Sequence, residues 1–391
     1  MKRFLVALGM AGAVCMAQAQ QSAEPIRIGL IAAFSGPFAD YGKQIEGGMK
    51  TWLHQNGDTI AGRKVEILVR DTTGPAPEVA KRLAQELVVR DKVQFLAGFG
   101  LTPEALAVAP VATQAKTPMV IMNAATSVIT MKSPYAVRFS HTLPQDSAPM
   151  GTWAAKNGIQ RVYTLVADYG PGIDAEAAFS KTFKEGGGQI VDSVRVPLKN
   201  PEFAPFIQRI KDARPQAVFI FVPPGEHSIA FMKGFQERGL AKEGIRVIAT
   251  GDLTDDHLLD AMGDPVLGII NTFHYSNAHD SPENKAFLKA FAETNPDGGR
   301  PNFMAVGGYD GMHAIAEVVK KLGANFTGDQ AMELFKQMKF ESPRGPIAID
   351  PETRDIVQTV YVRRVERRDG HLYNIEFDSF PNVKDPGKPA Q

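Results

Sequence analysis

The sequence predicts an α/β protein of two doubly wound, parallel-sheet lobes. Apolar strand-like runs alternate with helical stripes from residue 26 onward, and the same alternation restarts after a polar, proline-bearing stretch at residues 140–149. Such β-α-β-α order implies a parallel sheet covered by helices on both faces. A chain of 391 residues also exceeds one typical hydrophobic core, so two lobes are expected.

Each element follows from periodicity. The run IRIGLI at 26–31 reads as a buried strand, and the segment after it carries Ile45, Met49, Trp52 and Leu53 on one helical stripe. KVEILVRD is a second strand, and the next helix has Val79, Leu83 and Leu87 on one face. VQFLAGFG, TPEALAVAPVATQ and PMVIM continue as strand, helix and strand. After the crossover at 140–149, RVYTLVAD, QIVDSVRVPL, QAVFIFVP and IRVIATGD are strands separated by helical segments. Beyond GIINTFHYS three helix-like segments, beginning at residues 281, 302 and 327, are expected to return to the first lobe. Period-two alternation over 356–377 around Asp369-Gly370 predicts an antiparallel hairpin finishing the second lobe. The expected division is 24–140 plus 277–350 for lobe 1 and 141–276 plus 351–380 for lobe 2, with a disordered tail at 381–391.

The N-terminus reads as a secretory signal at 1–19: Lys2 and Arg3, an apolar run over 4–16, and a small-x-small site at Ala17–Ala19. The run is shorter than the roughly 20 apolar residues that span a bilayer. Cleavage there would remove Cys15, the only cysteine, so no disulfide framework supports the fold. It would also turn the balanced 43 basic and 43 acidic residues into a charge of about −2. No basic tract suits nucleic acid.

In open α/β sheets ligands sit beyond the carboxyl ends of strands, so the strand-to-helix junctions are the places to search. The string ADYG occurs at two of them, bringing Tyr41 and Tyr169 to the first junction of each lobe. After the third strand, Thr102 reads as an N-cap with Pro103 opening the helix, and the free amides around Gly100–Thr102, Leu101 included, suit an anion. In NAATS, Ala124 and Ala125 allow close approach to the backbone and Thr126 offers a hydroxyl, a set able to hold a carboxylate without a cation. The second lobe adds Pro224 and Asp252, the latter read either as an acceptor for an ammonium or hydroxyl or as a cap on the next helix.

The strand followed by SGPFADYG, the GFGLTPEA junction, NAATS, VADYG, the FMKGFQERGL helix and GPIAIDPETRD together resemble the type I periplasmic binding proteins of the leucine/isoleucine/valine group, over almost the whole chain after residue 19. The resemblance implies two lobes joined by three hinge crossovers that close on a ligand like a flytrap, serving as the periplasmic substrate receptor of an ABC importer. It implies ligand contacts at Tyr41, Leu101, Thr102, Ala124, Ala125, Thr126, Tyr169, Pro224 and Asp252. Pro224 stands where the family has a tyrosine, and Asp252 is shorter than the family's glutamate; both weaken the end that grips an amino group. An aromatic carboxylate therefore competes with a branched-chain amino acid. The implied partners are that small molecule and an inner-membrane ABC permease, with a monomeric receptor, no cofactor and no metal. A ligand-sensing domain acting through a partner protein is the main alternative, and an exported α/β enzyme a remote one.

Enzyme signatures are missing from the sequence: there is no G-x-S-x-G elbow, Walker A motif or H-E-x-x-H pair. His274 and His279 are spaced wrongly for one helical face and are expected to be solvated residues near the hinge.

Overall fold

The computed structural model describes residues 24–323 and 325–388. The expected leader at 1–19 lies outside them. The first sheet is built from β1 (Ile26–Ala32), followed by α1 (Ala39–Asn56), β2 (Thr59–Ile60), β3 (Arg63–Asp71), α2 (Pro77–Val89), β4 (Phe95–Gly98), α3 (Thr102–Ala115), β5 (Met119–Ile121) and β6 (Ala136–Arg138). Its order is β2-β3-β1-β4-β5-β6, parallel except for β2. The direction of winding reverses between β1 and β4, so a crevice opens beyond their carboxyl ends.

The chain then passes through α4 (Leu143–Lys156), β7 (Arg161–Ala167), α5 (Gly170–Glu185), β8 (Gln189–Val196), α6 (Ala204–Ala213), β9 (Ala217–Phe221), α7 (Glu226–Glu237), β10 (Arg246–Thr250), α8 (Leu259–Met262) and β11 (Ile270–Phe273). Strands β8-β7-β9-β10-β11 repeat the order of the first lobe, with the same reversal between β7 and β9. The remaining elements are α9 (Pro282–Thr294), α10 (Phe303–Leu322), α11 (Gly328–Phe335), β12 (Lys339–Ser342), β13 (Gly345–Ile349), β14 (Ile356–Arg368) and β15 (His371–Val383). Helix α10 packs on α1 at a distance only glycine allows: a Cβ on Gly48 would lie 1.8 Å from the Ala305 carbonyl, and one on Gly308 2.1 Å from that of Ile45. The β14–β15 turn has positive φ at both Asp369 (51°) and Gly370 (84°), the conformation an Asp-Gly pair tolerates.

Two expectations need correction. Strands β12 and β13, placed above with lobe 1, extend the second sheet, β12 pairing with β13 and β13 with β14, while Ile347 and Ile349 pack into the first core. The boundary at residue 350 thus falls inside a region the lobes share. The tail is also ordered as far as Lys388. β15 runs to Val383, Lys384 pairs with Asp350 at 2.9 Å, and Lys388 pairs with Asp355 at 2.8 Å while donating to Thr130 and to the Ser127 carbonyl. These partners are distant in sequence, which is why the local composition reads as disordered.

The crossovers between the lobes are cross-tied. Thr142 and Gln145 form a reciprocal cap at the start of α4, and the Gln145 amide also donates to the carbonyls of Ile356 and Val383 at 2.8 Å each. Arg344, fully buried, pairs with Asp310 at 2.6 Å and donates to the carbonyls of Phe139 and Ser140. The chain passing between the lobes near residues 139–145 and 344–356 is therefore held by side-chain bonds as well as by the backbone.

Candidate functional site

A narrow cavity of only about 20 Å³ lies where the two winding reversals face each other. It is small against the roughly 300–1,000 Å³ of ordinary ligand pockets. Of the residues singled out above, Tyr41, Thr102, Ala124, Ala125, Tyr169, Pro224 and Asp252 line it. Leu101 and Thr126 do not; both are buried behind the lining.

The local geometry departs from expectation at Thr102 and Asp252. Tyr41 sits in the first turn of α1, with its ring edge-on to Phe38 at 5.3 Å. Tyr169 is the N-cap residue of α5 and stacks on Phe221 at 6.1 Å and 19°. Thr102 is not the N-cap of α3. Leu101 holds that position in extended backbone (φ −124°) and offers no capping group, while the Thr102 hydroxyl lies 3.1 Å from that of Thr126. Asp252 caps no helix: Leu258 precedes α8, and Asp252 Oδ2 instead accepts from the Thr250 hydroxyl at 2.8 Å.

The β4–α3 junction is shaped by backbone in the left-handed region at Gly98 (φ 99°) and Phe99 (φ 64°), an uncommon conformation for a bulky residue and a strained one. It is held in place by Asn123, which donates to the Gly100 carbonyl at 2.7 Å, and by the Ala124 amide, which donates to Phe99 at 2.8 Å.

Helices α3 and α5 both begin at the cleft, one from each lobe. Neither has a side-chain cap, so both positive ends stay available to an anion. No lysine or arginine lines the cavity. Arg138 stands one layer back, donating to the Thr126 carbonyl at 2.8 Å and to that of His141 at 3.2 Å while paired with Asp355.

Lobe contact closes the site. The Ser127 amide of lobe 1 donates to Asp174 of α5 at 3.0 Å, Asn302 of α10 donates to Asp255 at 3.0 Å, and the Phe38 and His227 rings meet at 5.8 Å. A wider opening of about 440 Å³ lies on the outer rim, lined by residues such as Pro37, Thr73, Leu198 and Pro201. Size favours the rim. The inner cavity is still the better candidate, because the helix ends, the tyrosines and the buried acid converge there.

Burial sets the protonation states. The phenols of Tyr41 and Tyr169 are pushed up, first by desolvation and then by neighbouring acids, so both stay neutral. Asp252 is raised to about 6, chiefly by desolvation, and is still mostly ionised at neutral pH. His141, which the sequence reading missed, lines the hinge side of the cavity. Burial lowers it to about 4 and keeps it uncharged. It lies in a crossover rather than at a strand-to-helix junction; its nearest signal was the polar string HTLPQD, which carries the cap of α4.

His274 is fully buried rather than solvated, its ring tilted against that of His141 at 4.5 Å; His279 is largely covered and bonds Glu376 at 2.9 Å. His141, Asp146 and His274 bring ligand-type atoms within 4.8 Å of one another. His141 Nδ1 and Asp146 Oδ2, however, are only 2.6 Å apart, a direct hydrogen bond. Two ligands about 2.1 Å from one tetrahedral ion would stand roughly 3.4 Å apart. Arg344 and Arg363 also bear on Asp146. His141 and Asp146 are thus bonded to each other, while neither ring nitrogen of His274 has a hydrogen-bond partner among the described residues.

The family model described as periplasmic binding protein matches residues 25–371. The Leu/Ile/Val-binding protein homolog 6 of Brucella melitensis is 43% identical over 387 residues, covering 99% of both chains. A solute-binding protein of an ABC transporter from Rhodopseudomonas palustris BisB5, solved in complex with 3,4-dihydroxybenzoic acid, is 55% identical with a TM-score of 0.90, covering 93% of this chain and 99% of that one. Another R. palustris solute-binding protein, in complex with 4-hydroxybenzoate, is 43% identical with a TM-score of 0.91 and the same coverage. The chain belongs to the periplasmic binding proteins, with the two-lobed fold and receptor role of ABC-transporter solute-binding proteins.

Proposed function

From that membership, we propose that this receptor binds an aromatic carboxylate of the benzoate class and delivers it, chemically unchanged, to an inner-membrane ABC permease. It works as a periplasmic monomer after removal of residues 1–19. The observation that carries the reading is the character of the cavity: two uncapped helix N-termini, walls of Tyr169, Phe221, Pro223 and Pro224, and no cation. The helix ends and the hydroxyls of Thr102 and Tyr41 suit a carboxylate. The flat walls suit a ring. The relatives bound to hydroxybenzoates support the same class.

Ligand settles first on lobe 1, between the α3 terminus and the Ala124–Ala125 backbone. Tyr169, the α5 terminus and Asp252 then engage from lobe 2, and the closed population rises because these contacts exist only there. Leu101 and Thr126 act as supports, Thr126 through its bond to Thr102.

Asp252 favours a second reading, a branched-chain amino acid whose ammonium it would pair. Calorimetric titration of the mature protein with benzoate, 4-hydroxybenzoate, leucine and valine decides between them. Tight binding of leucine with no binding of either aromatic acid would overturn the proposal. Turnover of a bound ligand would show an enzyme instead.

A further inference from the structure

The hinge-side wall of the cavity presents two polar side chains of opposite hydrogen-bonding character. His141 and Asp252 both line the cavity and both are buried. His141 Nδ1 is occupied by Asp146 Oδ2 at 2.6 Å, which leaves Nε2 as the ring's remaining polar atom. Burial raises Asp146 and lowers His141, which favours a protonated Asp146 beside an uncharged ring. Asp146 then donates to Nδ1, and Nε2 carries the ring's hydrogen and is a donor. Asp252 has one oxygen engaged by Thr250 and is an acceptor in its ionised form.

We infer that His141 and Asp252 form a donor–acceptor pair that reads a hydroxyl group on the ligand's ring. A hydroxyl accepts from Nε2–H and donates to the Asp252 carboxylate at once. An ammonium can only donate, so it would meet the imidazole N–H unfavourably. A hydrogen or methyl group would leave both desolvated partners unpaired, and sites built to bond a hydroxyl discriminate strongly against its absence. Like-charge repulsion keeps the ligand's carboxylate away from Asp252 and toward the two helix ends. Asp146 positions the imidazole and does not touch ligand.

The inference rests on reading the cavity as an aromatic-acid site, and its test separates the two. The mature protein is titrated calorimetrically with 4-hydroxybenzoate, 3-hydroxybenzoate, benzoate, 4-methylbenzoate and leucine, and the series is repeated on Asp252→Asn and the milder Thr250→Val, each checked for native folding by circular dichroism. At least one hydroxybenzoate is expected to bind about 100-fold more tightly than benzoate or 4-methylbenzoate. Asp252→Asn should cut that preference about tenfold or more while changing 4-methylbenzoate affinity by less than about threefold. Thr250→Val should move it the same way by less. Equal binding of all four aromatic acids overturns the inference and leaves the aromatic-acid reading standing. Equal weakening of hydroxylated and unhydroxylated ligands in Asp252→Asn overturns it too, since the effect would be structural. Binding of leucine alone overturns both.

Discussion

Gly170 offers a test of closure that separates stability from binding. It is the first residue of α5 in lobe 2, and a Cβ placed there would lie 2.5 Å from Thr126 Oγ1 and 3.2 Å from Thr126 Cγ2, across the cleft in lobe 1. Its φ lies outside the left-handed region, so within its own lobe alanine is tolerated; in a helix it is better than glycine by up to about 1 kcal/mol. Thr126 cannot turn aside freely, because it is buried and its hydroxyl faces that of Thr102 at 3.1 Å. Overpacking of this kind costs about 1–3 kcal/mol, and here the cost falls on the closed arrangement alone. Gly170→Ala should therefore raise the ligand Kd about 5- to 150-fold, at about 1.4 kcal/mol per tenfold. The melting temperature of the ligand-free protein should stay the same or rise. Thr126→Ala removes both clashing atoms, so the double variant should bind better than Gly170→Ala alone, a positive coupling in a double-mutant cycle. Calorimetric titration and thermal melts monitored by circular dichroism give the two readouts. A lowered melting temperature with an unchanged Kd would refute the reasoning, because the strain would then lie within lobe 2.

Three further outcomes concern stability. Glu104, buried in the first turn of α3, is raised to about 7 by desolvation, which the nearby Thr72 hydroxyl and Leu101 amide only partly offset. The folded state thus binds more protons than the unfolded one between about pH 4.5 and 7, and stability falls as pH rises through that window. Glu104→Gln should stabilise by about 3 kcal/mol at most at pH 8 and by little below pH 4.5, as read from urea melts at both pH values. Asp355 neutralises both Arg138, at 3.0 Å, and Lys388, at 2.8 Å, so Asp355→Asn should cost about 3–5 kcal/mol, and Lys388→Met, which leaves Arg138 paired, markedly less. Thr142→Ala removes the cap of α4 and should cost about 1 kcal/mol in the same denaturation assay.

The fold was legible because its signals are local. Buried strands such as Ile26–Ala32 and Ala217–Phe221 read as continuous apolar runs, and the Asp369-Gly370 turn as a dipeptide. The short β12 and β13 were missed because four- and five-residue strands, one containing a proline, lack a period long enough to recognise. The tail was misread for a different reason: Lys388 is ordered by Asp355 and Thr130, which no local window contains. Within the candidate site, every residue that a strand end carries to the cleft was reachable from the topology of an α/β sheet, including Tyr41, Thr102, Ala124, Tyr169 and Asp252. His141 was not, since a crossover residue faces the cleft only once both lobes and Asp146 are in place. The one-residue shift at Thr102 has a tertiary cause as well, because its hydroxyl is spent on Thr126 instead of on its own helix.

The lack of a cation in the cavity fits the proposed work of a receptor that must both close and let go. A helix terminus carries roughly half a unit of positive charge, and α3 and α5 contribute theirs from different lobes. An anion on lobe 1 alone meets only half the available complement; the rest arrives with closure. A lysine or arginine in lobe 1 would bind the anion as well in the open form as in the closed one, and a ligand with equal affinity for both forms shifts no population. Moving an open receptor from 1:99 to 99:1 closed takes about 5.5 kcal/mol of differential affinity. Two to four charge-assisted hydrogen bonds made only on closure, at about 1.5–3 kcal/mol each, supply that much. Tyr169, the α5 amides and Asp252 are all lobe-2 groups, placed to make such bonds. Splitting the anion site between two helix ends therefore makes binding and closure one event, which a single buried cation on lobe 1 would uncouple.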